Sequence, residues 1–401
     1  YLETETTDIS RDDIEFFIRQ GELILENDKT TASKIAEKED RGYEYKGDYT
    51  YLLPQSIINN ATEIDKLLYN IKVADPAVGS GAFPLGMLNE IVRARRVIGV
   101  HTKDNKKVYT LKKETISNSL YGVDIDPGAV EIAKLRLWLS LVVDENKPHP
   151  LPNLDHKIMQ GNSLISEYEG IKLFDDSIFG TVEEKDTQIE QIENRIKEIG
   201  REIISLAEQN IYSGEKVEEL EKEAKSLNKK LTNIKKKDVE NPEFQSLFDE
   251  PEQINILEQK TKELTEKTAQ YISESGRSGK QSLKRDIDKL KWDIIEMTLR
   301  QQGHEDKVEE LKGLRRKNIK PFFIWKLEFA DVFKSKEGFD VVIGNPPYVG
   351  EKGNKDIFRP VAKGNLGKYY QGKMDLFYFF FHLALDLGRK NTQNAFITTN
   401  Y

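Results

Sequence analysis

The 401-residue chain contains no cysteine, and this absence excludes two kinds of site at once. Disulfide bonds and thiolate metal centres both need cysteine sulfur, so neither can form here. Histidine, another common metal ligand, occurs only five times, at scattered positions. The sequence therefore predicts no metal centre, and it predicts a reducing, cytoplasmic environment.

Long apolar runs and an excess of basic residues are missing as well. The most apolar stretch, residues 376–387, is too short to cross a membrane and contains His382 and Asp386. Lys and Arg number 61 against 69 Asp and Glu, a net charge of -8, which excludes a uniformly basic surface. A polyanionic partner must then be held by a local basic patch. Residues 350–373, with six basic and two acidic side chains, are predicted to be a flexible loop suited to phosphate contact.

A glycine-containing loop is the first feature that points to a ligand. Residues 71–75 predict a short strand, residues 76–83 contain Gly79 and Gly81, and a helical pattern follows. Glycines in such a loop let the backbone approach a bound molecule closely. The third glycine of a dinucleotide fingerprint is replaced by Pro84, which argues against NAD and favours a nucleoside without a pyrophosphate.

Two further strands end in polar residues that suit such a nucleoside. Residues 120–124 end in Asp124, and a carboxylate in this position can accept hydrogen bonds from both ribose hydroxyls. The helix that follows is expected to present Ile132, Leu135, Leu139 and Val142 on one face. Residues 157–160 lead into Asn162, whose amide both donates and accepts and so can bond an adenine edge.

The tetrapeptide Asn345-Pro346-Pro347-Tyr348 follows another buried strand, residues 339–344. Ligands of open α/β sheets bind outside the carboxyl ends of the strands, so this polar and aromatic turn lies where chemistry is expected. The two prolines stiffen the turn. A last strand is predicted at residues 395–398.

Between the two halves of this pattern, the composition changes sharply. Lys and Glu dominate from about residue 183 to 314, and apolar residues recur in alternating steps of three and four along 189–206 and 217–234. A second helix pair is predicted at 257–271 and 283–297. The predicted fold is therefore α/β, a Rossmann-like sheet interrupted by a long antiparallel helical, coiled-coil insertion. The predicted domains are an N-terminal helical segment (1–46), a cofactor-binding half (47–180), the insertion (181–318) and a catalytic half (319–401).

Taken in order, these motifs resemble the gamma-type S-adenosylmethionine-dependent N6-adenine DNA methyltransferases. The resemblance is closest to the methylase module of type IIG restriction-modification enzymes. It rests on Asp75 to Phe83, Tyr121 to Pro127, Trp325 to Phe329 and the tetrapeptide at Asn345. The Tyr-Tyr-Thr-Pro segment of that family is only approximated by Tyr49 to Pro54, and many members have Asp at the position of Asn162.

The resemblance implies the roles of the site residues. The cofactor S-adenosyl-L-methionine would be bound through its methionine part by Asp75, Pro76, Ala77, Gly79, Gly81 and Phe83, through its ribose by Asp124, and through its adenine by Ile125 and Asn162. The catalytic residues would be Asn345, Pro346, Pro347 and Tyr348, with Tyr348 stacking on an adenine flipped out of double-stranded DNA. A target-recognition domain, and a nuclease domain if one exists, are expected outside this chain.

Two other functions are open at this point. Asn-Pro-Pro-Tyr also occurs in enzymes that methylate glutamine side chains of proteins, where the planar amide nitrogen poses the same chemical problem. The second alternative is a coiled-coil scaffold that carries a degenerate methylase fold without activity, although the intact loop residues argue against it.

Overall fold

The computed structural model describes residues 1–6, 8–41, 49–102, 104, 106–143, 154–175, 251–274, 276–317 and 319–399. The chain divides into two compact units. The first consists of Tyr1–Leu173, Lys267–Arg285 and Leu314–Tyr401, and the second of Phe174–Glu266 and Asp286–Gly313.

A five-stranded parallel sheet forms the centre of the first unit. The strands are β1 (Val73–Asp75), β2 (Leu120–Asp124), β3 (Ile158–Gln160), β6 (Phe339–Gly344) and β7 (Gly388–Phe396). Their order in the sheet is β3-β2-β1-β6-β7. The interior strands are built of mostly apolar residues that are largely buried, as expected for a parallel sheet with both faces covered. A separate antiparallel pair is formed by β4 (Glu167–Tyr168) and β5 (Ile171–Lys172).

Helices precede and connect these strands. The N-terminal helices are Leu2–Glu5, Arg11–Arg19, Gly21–Asp40, Gln55–Asn59 and Ala61–Asn70. The helices between β1 and β3 are Ala82–Thr102, Val108–Asn118 and Pro127–Val142, with a 3-10 turn at Leu154–His156. The later ones are Trp325–Glu328, Ala330–Lys336, Lys355–Lys363 and Phe377–Leu387, with a 3-10 turn at Asn365–Tyr369.

The alternation of strands and helices confirms the predicted α/β class, and the parallel sheet is consistent with a methyltransferase fold. The last strand is longer than predicted. It runs from Gly388 to Phe396 instead of from residue 395 to 398, and it pairs with β6 at Gly388 and at residues 393–396. The first part of this strand contains polar residues such as Lys390 and Gln393, so it does not form the apolar run that predicts a buried strand.

The helix after β2 buries a different face from the one predicted. Its core residues are Val130, Ala133, Leu137 and Leu141. Ile132, Leu135 and Leu139 remain about half exposed, at 48%, 50% and 45%. The helix is apolar nearly all round, so periodicity alone could not identify the side that meets the sheet.

Helices also occupy the described part of the predicted insertion. They are Pro251–Ser273, Arg277–Gln301 and Glu305–Arg316. Along the first, the buried residues recur in steps of four and three at Leu257, Thr261, Leu264, Thr268 and Tyr271. In the second unit, Lys260 pairs with Asp293 at 3.1 Å. The predicted helical runs at 189–206 and 217–234 lie outside the described residues, so the coiled coil stays a prediction.

Candidate functional site at the carboxyl ends of the strands

The loop after β1 takes a backbone shape that only small residues fit. Gly79 and Gly81 have φ angles of +50° and +81°, in the left-handed region that disfavours side chains. A Cβ on Gly81 would lie 2.9 Å from the Cβ of Ala133, on the helix after β2. The loop therefore packs closely against that helix.

Asp124, at the end of β2, joins this loop to the neighbouring strand. Its Oδ2 accepts a hydrogen bond from the Gly79 N–H at 2.8 Å, and its Oδ1 accepts one from the Asp126 N–H at 3.0 Å. A carboxylate has about four acceptor positions, so two backbone bonds leave capacity for further donors. The side chain is only partly buried. Asp124 is thus held in place while it can still bind a ligand.

Asp75, at the end of β1, is a buried carboxyl with one unused oxygen. The residue is 1% exposed. Its Oδ1 accepts from the Ala77 N–H at 3.1 Å, whereas its Oδ2 is buried without a hydrogen-bond partner. Burial raises the pKa of this carboxyl to about 7, and the nearby charge of Asp124 adds to the rise. An unpaired buried acceptor at the base of a ligand loop is a place where a donor from a ligand would be stabilised.

Residues that follow β2 and β3 complete this side of the site. Ile125 is 66% exposed, an unusual state for an isoleucine beside a buried strand. The Asn162 Oδ1 accepts from the Leu164 N–H at 3.1 Å and caps the turn. Ser163, which the sequence analysis did not select as a site residue, donates from its buried hydroxyl to the Pro76 carbonyl at 2.7 Å. It ties the turn after β3 to the glycine loop. Phe83 is partly buried at the start of the following helix.

The tetrapeptide lies at the end of β6 with its polar groups exposed. Asn345, Pro347 and Tyr348 are exposed and Pro346 is buried. The Tyr348 hydroxyl lies 2.7 Å from the Asn345 Oδ1 and 2.8 Å from the Ile397 carbonyl oxygen. The Tyr348 ring meets Phe377 edge to face, with centroids 6.0 Å apart. Neither Phe377 nor Ile397 could be selected from the sequence, since both carry ordinary apolar side chains.

Strand pairing brings the two halves of the predicted site together. β1 pairs with β6 in parallel, with Val73 opposite Val341 and Ala74 opposite Val342. Both strands therefore end at the same edge of the sheet. A Cβ on Gly344 would lie 2.8 Å from the Asp75 Oδ1, so the residue before the tetrapeptide touches the carboxyl at the base of the glycine loop.

The basic segment after the tetrapeptide is folded, and the prediction of a flexible loop was wrong. It contains the helix Lys355–Lys363 and the 3-10 turn Asn365–Tyr369. Its ends are paired, since the Leu376 N–H donates to the Val349 carbonyl at 2.9 Å and the Glu351 N–H donates to the Met374 carbonyl at 3.1 Å. Apolar residues of the segment, including Phe358 and Leu366, are buried and hold it in shape.

Tyr369 and Tyr370, whose rings the sequence suggests for packing on a sugar or base, both make contacts with neighbouring side chains. The Tyr369 ring stacks on His382 with centroids 3.6 Å apart and planes at 2°. The Tyr370 hydroxyl donates to Glu351, and this bond lowers the pKa of the Glu351 carboxyl. They therefore contribute to the rigidity of the segment.

The segment that approximates the Tyr-Tyr-Thr-Pro motif lies far from the glycine loop. The Tyr51 ring packs on His101, 4.8 Å between centroids. His101 is at the end of the helix Ala82–Thr102, whose beginning adjoins the loop. With a rise of 1.5 Å per residue, the two ends are about 28 Å apart. Asp28 holds the segment there, because it accepts from the Leu52 N–H at 2.7 Å and lies 2.8 Å from the His101 Nε2.

Membrane-spanning helices and metal-binding groups of side chains are both absent from the residues that the structure describes. Within these ranges, no helix is both long and apolar enough to cross a membrane. The same residues contain no group of three or more His, Asp or Glu side chains arranged to hold a metal ion.

Comparison with known proteins places this site in a family. Residues 118–401, which include β6 and the tetrapeptide, match the Eco57I restriction-modification methylase family. The chain is also 30% identical over 339 residues to a putative type II restriction enzyme and methyltransferase of Methanocaldococcus jannaschii. That alignment covers 79% of this chain and 24% of the relative, so the chain spans about a quarter of the relative's length. The chain belongs to the Eco57I restriction-modification methylase family.

Proposed function

We propose that this chain transfers a methyl group from S-adenosyl-L-methionine to N6 of an adenine flipped out of DNA, within a restriction-modification or related phage-defence system. The observation that carries the proposal is the contact between the two halves of the site. The residue before the tetrapeptide touches Asp75 across the β1–β6 pair, so a methyl donor and an acceptor base would meet at one edge of the sheet. Family membership supports the class of reaction.

The residues around the glycine loop fit the proposed cofactor. The exposed Ile125 offers an apolar surface to a flat base, and Asp124 keeps acceptor capacity for ribose hydroxyls. The unpaired Oδ2 of Asp75 would receive a donor from the methionine part. When bound, S-adenosyl-L-methionine supplies an electrophilic methyl group on a sulfonium. Pro76, Ala77, Gly79, Gly81, Phe83 and Asn162 complete the proposed cofactor site.

The tetrapeptide would act on the nucleophile. An adenine amino group is a poor nucleophile because its lone pair is delocalised into the ring. The Asn345 Oδ1 and the Pro346 carbonyl would accept its two N–H groups and favour a pyramidal nitrogen whose lone pair points at the methyl group. The bond from N6 to the methyl carbon would form as the bond from sulfur to that carbon breaks, which leaves S-adenosyl-L-homocysteine. The proton would pass from N6 to solvent after transfer, so position and electrostatics supply the catalysis and no strong base is needed.

Tyr348 and Pro347 would hold the flipped base. The exposed ring of Tyr348 is supported from the side by Phe377. Stacking of the base on such a ring would offset part of the cost of leaving the duplex. Pro347 fixes the backbone that carries the ring.

The test is methylation of duplex DNA by the full-length protein with a methyl-labelled donor. We expect label at adenine N6, and we expect Asn345→Ala to abolish it while donor binding, measured by calorimetry, is retained. Unchanged labelling in Asn345→Ala would contradict the proposed mechanism.

The same assay separates the alternatives. Label on glutamine of added protein, with none on DNA, would favour a protein methyltransferase. Donor binding that is absent in the wild-type protein would favour a non-catalytic scaffold. A target-recognition domain and a nuclease domain elsewhere in the polypeptide also remain proposals, consistent with a relative named as a restriction enzyme and methyltransferase.

A further inference from the structure

We propose that the exposed face of the helix Lys355–Lys363 is the surface that binds the phosphate backbone of the DNA duplex beside the tetrapeptide. This inference rests on the proposed function and assigns it a docking surface. The helix begins seven residues after Tyr348 in the sequence.

The helix Lys355–Lys363 is amphipathic, with one buried apolar face and one exposed basic face. Phe358 and Val361 are each 1% exposed and anchor it to the first unit. Lys355, Arg359 and Lys363 are spaced four residues apart, so they lie on one face, and all three are exposed. We call these three residues the basic stripe. It extends about 12 Å along the helix axis, which corresponds to three or four phosphates of one DNA strand.

Acidic side chains near the stripe include Glu351 and Asp356 of the segment, and Glu167 and Glu169, which line a cavity together with Arg359 and Lys363. The six basic residues of the segment outnumber these four acids. Of the two acids in residues 350–373, Glu351 accepts hydrogen bonds from the Tyr370 hydroxyl and the Lys373 N–H. Asp356 pairs with Arg359 at 2.9 Å, in an exposed pair of the kind that contributes little. Glu167 on β4 accepts from the Asn365 N–H at 3.0 Å. The segment thus carries a local charge of +4 (six basic minus two acidic residues) within a chain of net charge -8.

The paired ends of the segment fix the stripe relative to the tetrapeptide. Gly350 bridges Asp375, and the hydrogen bonds of Val349 and Glu351 flank that bridge. A duplex lying on the stripe would therefore be held at a set distance from Asn345. A positively charged surface on a fixed segment suits the phosphates, which position a duplex without selecting its sequence.

The experiment is the salt dependence of duplex binding by the full-length protein. Replacing Lys355, Arg359 and Lys363 by Gln keeps helix-forming residues and removes three charges. A plot of log affinity against log salt has a negative slope, and each lost phosphate contact reduces the magnitude of that slope by about 0.9. We therefore expect the magnitude to be smaller by about two to three in the variant. The KM for DNA should rise at least 10-fold, with donor binding unchanged.

Two controls make the result specific. The first control is a triple variant that retains the three charges, Lys355→Arg, Arg359→Lys and Lys363→Arg, and it should keep the wild-type slope. The second control removes three exposed charges elsewhere, by Lys29→Gln, Lys34→Gln and Lys113→Gln, and it should also leave the slope unchanged.

The outcomes distinguish the inference from the proposed function. A wild-type protein that methylates adenine, together with a charge-removing variant of unchanged slope, would overturn the inference alone. A wild-type protein that neither binds nor methylates duplex DNA would overturn the proposed function as well.

Discussion

At the scale of single residues, the hydroxyl of Tyr348 makes contacts that the proposed stacking role of its ring does not explain. Its one proton faces two acceptors, the Asn345 Oδ1 at 2.7 Å and the Ile397 carbonyl at 2.8 Å. Donation to the Asn345 Oδ1 fixes the orientation of an amide that can otherwise turn over. The second lone pair of that oxygen remains for the adenine amino group. The ring would therefore hold the base, and the hydroxyl would position the catalytic amide.

Two substitutions at Tyr348 should separate these roles. Tyr348→Phe keeps the ring and loses a hydrogen bond of about 1 kcal/mol, so we expect kcat to fall up to 10-fold with an unchanged KM for DNA. Tyr348→Ala should also raise the KM for DNA, because the flipped base loses its stacking partner. Equal kcat values for wild type and Tyr348→Phe would show that the hydroxyl does not position Asn345.

At the scale of elements, the shape of the glycine loop depends on a glycine in the adjacent strand. A Cβ on Gly122, in β2, would lie 2.7 Å from the Val78 Cγ2 and 3.2 Å from the Ile158 Cδ1. Val78 belongs to the loop after β1, and its N–H donates to the Val123 carbonyl at 3.0 Å. The loop can approach β2 this closely only because residue 122 has no side chain.

Gly122→Ala should therefore affect the fold and the cofactor site together. Overpacking of this kind costs about 1–3 kcal/mol, and the displacement of Val78 should weaken donor binding. Chemical denaturation and calorimetry measure the two effects. Gly86→Ala is the matched control, because Gly86 is helical with nothing within 4 Å of its Cβ position, and it should be neutral or stabilising by about 0.5–1 kcal/mol. Full stability and donor affinity in Gly122→Ala would contradict the tight packing.

At the scale of the whole molecule, a buried group of Lys157, Tyr121 and Asp331 lies near the amino ends of β2 and β3, away from the candidate site. Lys157 is 3% exposed, its Nζ donates to the Tyr121 hydroxyl at 2.6 Å, and that hydroxyl lies 3.2 Å from the Asp331 Oδ2. Burial lowers the pKa of Lys157 to about 7, although the charge of Asp331 opposes the shift. Burial also raises the pKa of Tyr121 well above its usual value.

This lysine should make stability depend on pH. Its folded-state pKa lies below the unfolded value of 10.5, so its contribution is complete above about pH 10.5 and is lost as the pH falls to about 7. Between pH 7.5 and 9.5 it should add up to about 1.4 kcal/mol of unfolding free energy per pH unit. Urea denaturation of wild type and Lys157→Met across this range measures the difference in slope. Parallel curves would mean that Lys157 is charged in the folded protein.

Much of the fold and site was predictable because it rests on local chemistry. Gly79 and Gly81 adopt left-handed backbone angles, and Asp124 and the tetrapeptide each follow an apolar run. The sequence alone therefore indicated the glycine loop, Asp124 and the tetrapeptide as features of the fold. The roles of these residues in binding and catalysis stay predictions. Family membership confirms the resemblance at the level of a restriction-modification methylase.

The tertiary structure decided what depends on distant neighbours. The contact of Asp75 with Gly344, the acceptor offered by Ile397 to Tyr348, and the buried face of the helix Pro127–Val142 all depend on which strand lies beside which. The basic segment is folded because the side chains of Phe358, Val361 and Leu366 are buried in the core. A sequence specifies the chemistry of each position, whereas strand pairing and burial depend on residues that are distant in the chain. Only these long-range contacts bring the glycine loop and the tetrapeptide to one edge of the sheet.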